Sequence, residues 1–173
     1  MKEYKLDEQK SITSLLYICQ SLGGAWDKYS LLKILYFAEC KHLMKYGRPI
    51  TGDSMIAMEY GPVPSFSYDN VKKTSSNAKY FEVDDTVIKA LVKPNMDLLA
   101  ESEVECLDES IKENCGLAFG ALKKKSHDAA YDEARAQGGL NSTISYLSIA
   151  KAAGAGKDLL NYISEKVELN SWE

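Results

Sequence analysis

Histidine is scarce in this chain, cysteine pairs are missing, and neither a long apolar run nor a surplus of basic charge occurs. The two histidines, His42 and His127, stand in no H-E-x-x-H or comparable ligand spacing, which leaves little for histidine-based catalysis. The four cysteines, Cys19, Cys40, Cys106 and Cys115, are widely spread with no C-x-x-C pair. That argues against a zinc ribbon or a thioredoxin-type centre; buried free thiols are expected, with no metal and no cofactor. No window approaches the roughly 20 apolar residues that cross a bilayer. The opening "MKEYKLDEQKSITSLL" lacks the continuous apolar segment of a secretory signal, so a cytoplasmic location without a membrane is expected. A net charge of -4 argues against a nucleic-acid partner, because phosphate binding needs a local surplus of Lys and Arg.

What is present is an ordinary globular composition, 45% hydrophobic and 27% charged over 173 residues, enough for one domain, 1–173, with a sizeable core. Ile12, Leu15, Leu16, Cys19 and Leu22 share one helical face and Gly23-Gly24 ends it. Asp27 is placed to cap a second helix. There Leu31, Ile34, Leu35, Ala38 and His42 form one stripe and Leu32, Tyr36 and Leu43 another, the pattern of a central buried helix ending near Tyr46-Gly47. Lys41 and Lys45 lie in its last turns, favourable to the helix dipole.

Ser65 to Lys73 reads as a third helix with Pro64 in its first turn, followed by the polar loop "TSSNAKY". Phe81–Val83 and Thr86–Val92 read as short paired strands, with helix open as the alternative for the second run, closed by Pro94-Asn95. Ser102 and Glu105 fit the capping box S-x-x-E of a helix with Val104, Leu107, Ile111 and Cys115 on one face, closed by Gly116. Its other surface, Glu103, Glu105, Asp108, Glu109 and Glu113, reads as a solvated face, or as an acidic patch for a basic partner. Helices are expected over Phe119–Lys125, Asp128–Ala136 and Ile144–Ala153, with "AQGGLNS" the most flexible connection, and last over Leu160, Ile163 and Val167. The expected fold is mainly α with a small β element (α+β), one compact helical domain with a short strand insertion between the third helix and the later ones.

Three chemical motifs are considered and set aside. Ser126-His127-Asp128 lists the members of a triad, but adjacent residues do not converge on one substrate atom. "GAGKD", Gly154 to Asp158, lacks the first glycine and the Ser or Thr of a phosphate loop. Lys123, Lys124 and Lys125 point around a helix and read as a solubilising surface.

"RPITGDSMIAMEYGPVPS", Arg48 to Ser65, holds three of the chain's four prolines and two glycines directly after the central helix. Taken with "LLKILYFAECKHLMKYG" before it and "FSYD" after it, Leu31 to Asp69 resembles the signature of the SocA-like Panacea domain family. The matching positions are Leu31, Lys33, Leu35, Tyr36, Phe37, Ala38, His42, Leu43, Tyr46 to Asp53, Ala57, Met58, Tyr60 to Ser65 and Tyr68. Ser30 and Ile34 depart from it. A weaker second block, "FGALKKKSHDAAYDEA", Phe119 to Ala134, matches through Leu122, Ser126 and His127, with Tyr131 where the family has tryptophan.

The resemblance implies an antitoxin-type protein, of a kind also found in phage-associated contexts, that neutralises a cognate toxin by direct contact. One branch of the family delivers its toxin to a protease as an adaptor, and the family is not established as catalytic, so no catalytic residues are expected. Arg48, Asp53, Glu59, Tyr60, Pro62 and Pro64 are the expected partner-binding residues; Tyr36, His42, Gly47, Gly52, Gly61, Ser126 and His127 are expected to be structural. Two other functions stay open at this point. One is a small-molecule enzyme using His42, Asp53 or Glu59, which needs a pocket uniting them. The other is a nucleic-acid-binding autoregulator, which needs a basic face containing Lys123 to Lys125.

Overall fold

The structure is a computed structural model, and it describes residues 3–72 and 79–172. Helix α1 (Glu8–Ser21) starts where the Asp7 carboxylate accepts the Lys10 N–H at 2.9 Å. A short strand, β1 (Ala25–Asp27), follows, and the Asp27 carboxylate caps α2 (Lys28–Tyr46) by accepting the Ser30 N–H at 2.8 Å. Gly47 closes α2 in the left-handed conformation, φ 71°.

Two hydrophobic clusters meet on α2, which explains its two apolar stripes. Leu31, Leu32, Ile34, Leu35 and Ala38 pack with Ile12, Leu15, Ile18 and Cys19 of α1. Tyr36, Phe37 and Leu43 pack with Leu122, Tyr131, Ile144, Ile149 and Ile163 from the C-terminal half. A helix buried on both sides is anchored by several large side chains, each contributing about 1.5–3 kcal/mol on burial.

After α2 the chain forms a hairpin, β2 (Met55–Met58) and β3 (Gly61–Pro64), in the register Met55↔Pro64 to Met58↔Gly61. Glu59 and Tyr60 form its two-residue turn. Strand β6 (Ser142–Ile144) pairs with the other side of β2, so β3 is an edge strand, where Pro62 and Pro64 forfeit no ladder bond on their open side. Strands inside this segment were not expected from the sequence, since prolines and glycines mask a period of two. Ile144, expected in a helix, belongs to β6, and Ser145 then caps α7 (Tyr146–Ala152).

Helix α3 spans Ser65–Asn70, with Pro64 as its cap position rather than its first helical residue. The expected extension to Lys73 and most of "TSSNAKY" lie at residues 73–78, outside the described residues. The expected strand insertion is present as β4 (Phe81–Asp84) and β5 (Val87–Ala90), antiparallel, and β1 pairs with β5. A single 3-10 turn, Met96–Leu98, leads to α4 (Glu101–Asn114), then α5 (Phe119–Ser126), α6 (Ala129–Gly138) and, after α7, α8 (Lys157–Asn170). "AQGGLNS" is pinned to the sheet, with the Asn141 N–H donating to the Ala57 carbonyl at 2.9 Å.

Helix α4 corrects two expectations. Its cap position is Ala100, two residues before Ser102, and Glu103, not Glu105, reaches back to accept the Ala100 N–H at 2.9 Å. Its most buried residues are Glu103, Cys106, Leu107, Ser110 and Asn114; Cys106 and Leu107 join the α1–α2 cluster, Ile111 and Cys115 of the expected face pack against it, and the Ser110 hydroxyl donates to the Ile34 carbonyl at 2.6 Å. The acidic surface is accordingly not a free patch. Glu103 is fully buried against Lys10 and Arg48, while Glu105, Glu109 and Glu113 pair with Lys41 and Lys45 of α2. The described residues form a mainly helical α+β fold with two three-stranded sheets. Among the described residues, no helix is long and apolar enough to cross a membrane.

Candidate functional site

The polar residues of the Arg48–Ser65 stretch mostly serve the fold. Glu39, buried on α2, accepts the Ile50 N–H at 2.5 Å, the Thr51 N–H at 3.1 Å and the Thr51 hydroxyl. Burial raises its carboxyl to about 7, against the pull of those donors. Asp53, also buried, accepts the Phe66 and Ser67 N–H groups, both at 2.9 Å, so it caps α3 from a distance. Gly52 leaves room for the Lys5 backbone to cross, where a Cβ would collide. The segment is a braced corner.

His42 has both ring nitrogens occupied. Nδ1 lies 2.8 Å from the Arg48 carbonyl, which can only accept, so Nδ1 carries the proton. Nε2 then accepts the Ser102 hydroxyl at 3.0 Å, and burial holds the ring below its ordinary pKa. His42, Asp53 and Glu59, the three groups an enzyme would have needed in one pocket, are not brought together: the first two are satisfied in the core and Glu59 is exposed on the hairpin turn.

The two sequence blocks converge instead at Gly61. Its φ is 108°, and a Cβ there would lie 2.5 Å from Ser126 Oγ, 2.7 Å from Lys33 Nζ and 3.2 Å from His127 Cδ2. Only glycine lets the β3 backbone lie this close to the end of α5 and to α2. Lys33, wholly buried, donates to the Pro62 carbonyl at 2.6 Å and lies 5.2 Å from the Tyr29 ring centroid. Burial lowers its amine to about 7. His127 stacks on Tyr131, centroids 4.2 Å apart, and its buried Nε2 has no hydrogen-bond partner among the described residues. Tyr131, standing where tryptophan was expected, donates its hydroxyl to the Met58 carbonyl at 2.7 Å, tying α6 to the hairpin.

Outside this polar knot is a cavity of about 310 Å³. Leu32, Met58 and Val63 supply apolar lining, Tyr29, Tyr60 and Tyr68 aromatic lining, and Lys28, Lys33 and Glu59 the charged groups. Beside it Tyr29 and Phe119 are 4.4 Å apart by centroid, Tyr60 and Phe119 5.6 Å, and Lys123 Nζ lies 5.4 Å over the Tyr60 ring. Tyr60 and Phe119 are 49% and 50% exposed. Exposed aromatics next to cations have the composition of a protein-binding hot spot.

Of the residues expected at a partner face, Glu59 and Tyr60 are on this surface. Asp53, Pro62 and Pro64 are buried, because the hairpin uses them internally, and Pro62 presents its carbonyl to Lys33. Arg48 is exposed but pairs with Glu103 at the far end of α2, roughly 25–30 Å of helix from Tyr29. Lys123, Lys124 and Lys125 do not make one basic face: Lys123 turns to Tyr60, while Lys125 donates to Asn114 at 2.5 Å and lies over Phe37. Sequence reasoning missed Tyr29 and Phe119 as surface aromatics, and saw Lys33 only as a motif position. The available signal was a lone lysine in the buried stripe of an apolar helix.

The four cysteines are free, and among the described residues no group of His, Cys, Asp and Glu could hold a metal ion. A family model for antitoxin SocA-like, Panacea domain proteins matches residues 31–131, a span that runs from the first turn of α2 to Tyr131 and takes in the first block up to Asp69 and most of the second. No curated protein and no solved structure matches the chain.

Proposed function

The chain belongs to the antitoxin SocA-like, Panacea domain family, and we propose that it neutralises a cognate toxin by direct contact through the surface around Tyr29, Tyr60 and Phe119. The observation that carries this reading is the half-exposed aromatic cluster sitting where the two signature blocks meet. Tyrosine and phenylalanine offer large contact area at low cost in side-chain entropy, and here the backbone beneath them is held by Gly61, Lys33 and Tyr131. Glu59 and Tyr60 are the contacts retained from the hairpin. Treating residues 1–173 as one domain is supported by α2, which contributes side chains to both hydrophobic clusters.

The test is co-expression with the product of the adjacent reading frame. Growth arrest by that product is relieved by this chain, and the two purify together; arrest that persists with the folded chain present refutes the proposal. Delivery to a protease makes a separate claim, that the toxin's half-life in cells falls when this chain is present. An unchanged half-life leaves neutralisation by occupancy alone.

A further inference from the structure

Resting on the antitoxin reading, the cavity beside Lys33 permits a more specific statement about the partner. A protonated lysine carries three donors, and the Pro62 carbonyl takes one of Lys33's. Lysine is seldom buried without a counter-charge. Among the described residues none pairs with Lys33, and the one carboxylate lining the cavity, Glu59, is exposed on the hairpin turn. Lys28 lines the same cavity and Lys123 lies over Tyr60, so cations outnumber anions around the opening. The remaining lining is apolar and aromatic, a setting in which an entering charge is stripped of water and a facing ammonium matters most.

We infer that this cavity is an anchor site for an acidic side chain of the toxin: an Asp or Glu flanked by an apolar residue, its carboxylate facing Lys33 and its neighbour against Tyr29 and Tyr60. The occupant is a protein side chain because the cavity opens beside half-exposed Tyr60, next to Phe119, which favours a partner covering both. Lys33, which exposes no surface, thus gains by charge across the cavity wall the counter-charge that no described residue provides, and Lys28, which lines the same cavity, is the cation the carboxylate reaches.

The experiment uses the full chain and the product of the adjacent reading frame in an inactivated form, with affinities from calorimetry. Lys33→Met, which preserves length and apolar volume, is expected to weaken binding about 30-fold or more, and replacing one acidic toxin residue by its amide is expected to do the same. Combining the two changes is expected to cost little more than either alone. A Lys33→Met affinity within threefold of the original overturns the anchor, as does strict additivity with every acidic residue of the toxin. A second measurement needs no variant. At pH 7.5 the ¹³Cε signal of Lys33 is expected to move toward its protonated value when toxin is added, and no movement overturns the inference. Glu59, His127, Lys28 and Lys123, with the tyrosines Tyr29, Tyr60 and Tyr68, are titratable groups around Lys33, and their own signals separate a local pairing from a general shift. Failure of the unmodified chain to bind toxin refutes the antitoxin reading itself, whereas binding that ignores Lys33 refutes the anchor alone.

Discussion

Replacing Lys33 by methionine is expected to flatten the rise of stability with pH above neutrality. Burial lowers the Lys33 amine from 10.5 to about 7 in the folded chain, while the unfolded chain keeps the ordinary value. Between those two values the unfolded state binds a proton that the folded state does not, so stability climbs as pH rises; below pH 7 both states are protonated and the burial penalty stands in full. That penalty is on the order of 4 kcal/mol at pH 7, and roughly 1–2 kcal/mol of it is relieved by pH 8.5. The variant removes the penalty and leaves the Pro62 carbonyl without its donor, a loss of about 1–3 kcal/mol. At pH 7 Lys33→Met is therefore expected to be as stable as the unmodified chain or more so.

Urea unfolding at pH 6, 7, 7.75 and 8.5 measures this directly, with the difference between the two proteins as the readout. Glu39 also titrates near 7, but in the opposite sense: its raised folded value makes stability fall between the ordinary carboxyl value and 7, then level off. It is present in both proteins and cancels in the difference. Equal slopes for the two proteins between pH 7 and 8.5 would falsify the claim that Lys33 is a buried amine without a counter-charge. Repeating the measurement with toxin bound is expected to reduce the slope of the unmodified chain.

Other perturbations probe the rest of the argument. Gly61→Ala places a Cβ against Ser126 and Lys33 at a backbone angle that side chains rarely adopt, and is expected to cost about 3 kcal/mol or more by urea unfolding; an unchanged midpoint refutes the close approach of the two blocks. Glu103→Gln removes the charge facing Lys10 and Arg48 and is expected to cost about 1–3 kcal/mol at pH 7. Although burial raises the Glu103 carboxyl, the Ala100 N–H, Lys10 and Arg48 together hold it below 4.5. Its stabilisation is thus full above the unfolded value and is lost as pH falls through the folded one, so the unmodified chain is expected to lose more than the variant between pH 5 and 3. Tyr60→Ala changes a half-exposed side chain, is expected to alter stability by less than about 1 kcal/mol, and is expected to weaken toxin binding about tenfold or more; full neutralisation by this variant moves the contact face elsewhere.

The helical skeleton was legible because its signals are local. Asp27 and Gly47 bound α2 where the sequence puts them, and two apolar stripes on one helix announced that both sides would be covered. The misreadings share a cause: the decisive partner is distant in sequence. Ser102 looked like a cap because Glu105 follows it by three, yet His42, 60 residues away, takes its hydroxyl. Glu103 looked solvated until Lys10 and Arg48 were brought beside it. The strands β2, β3 and β6 are three or four residues long, too short to show a period, and β2 becomes a strand through Pro64-to-Gly61 on one side and Ile144-to-Ser142 on the other.

The same long-range contacts hold the Arg48–Ser65 stretch in place. In the Arg48–Ser65 stretch, Thr51 answers Glu39, Asp53 answers α3, and Gly61 and Pro62 answer Lys33 and Ser126, so most side chains are committed inward. The hairpin register requires only that residues 59 and 60 make the turn, and both point out. Substitutions at Glu59, Tyr60, Phe119 or Lys123 alter the outer face without touching the bonds that brace it, whereas changes at Lys33 or Gly61 alter the brace and the cavity together. The inward residues set where the turn stands, and the outward ones set what it presents to solvent.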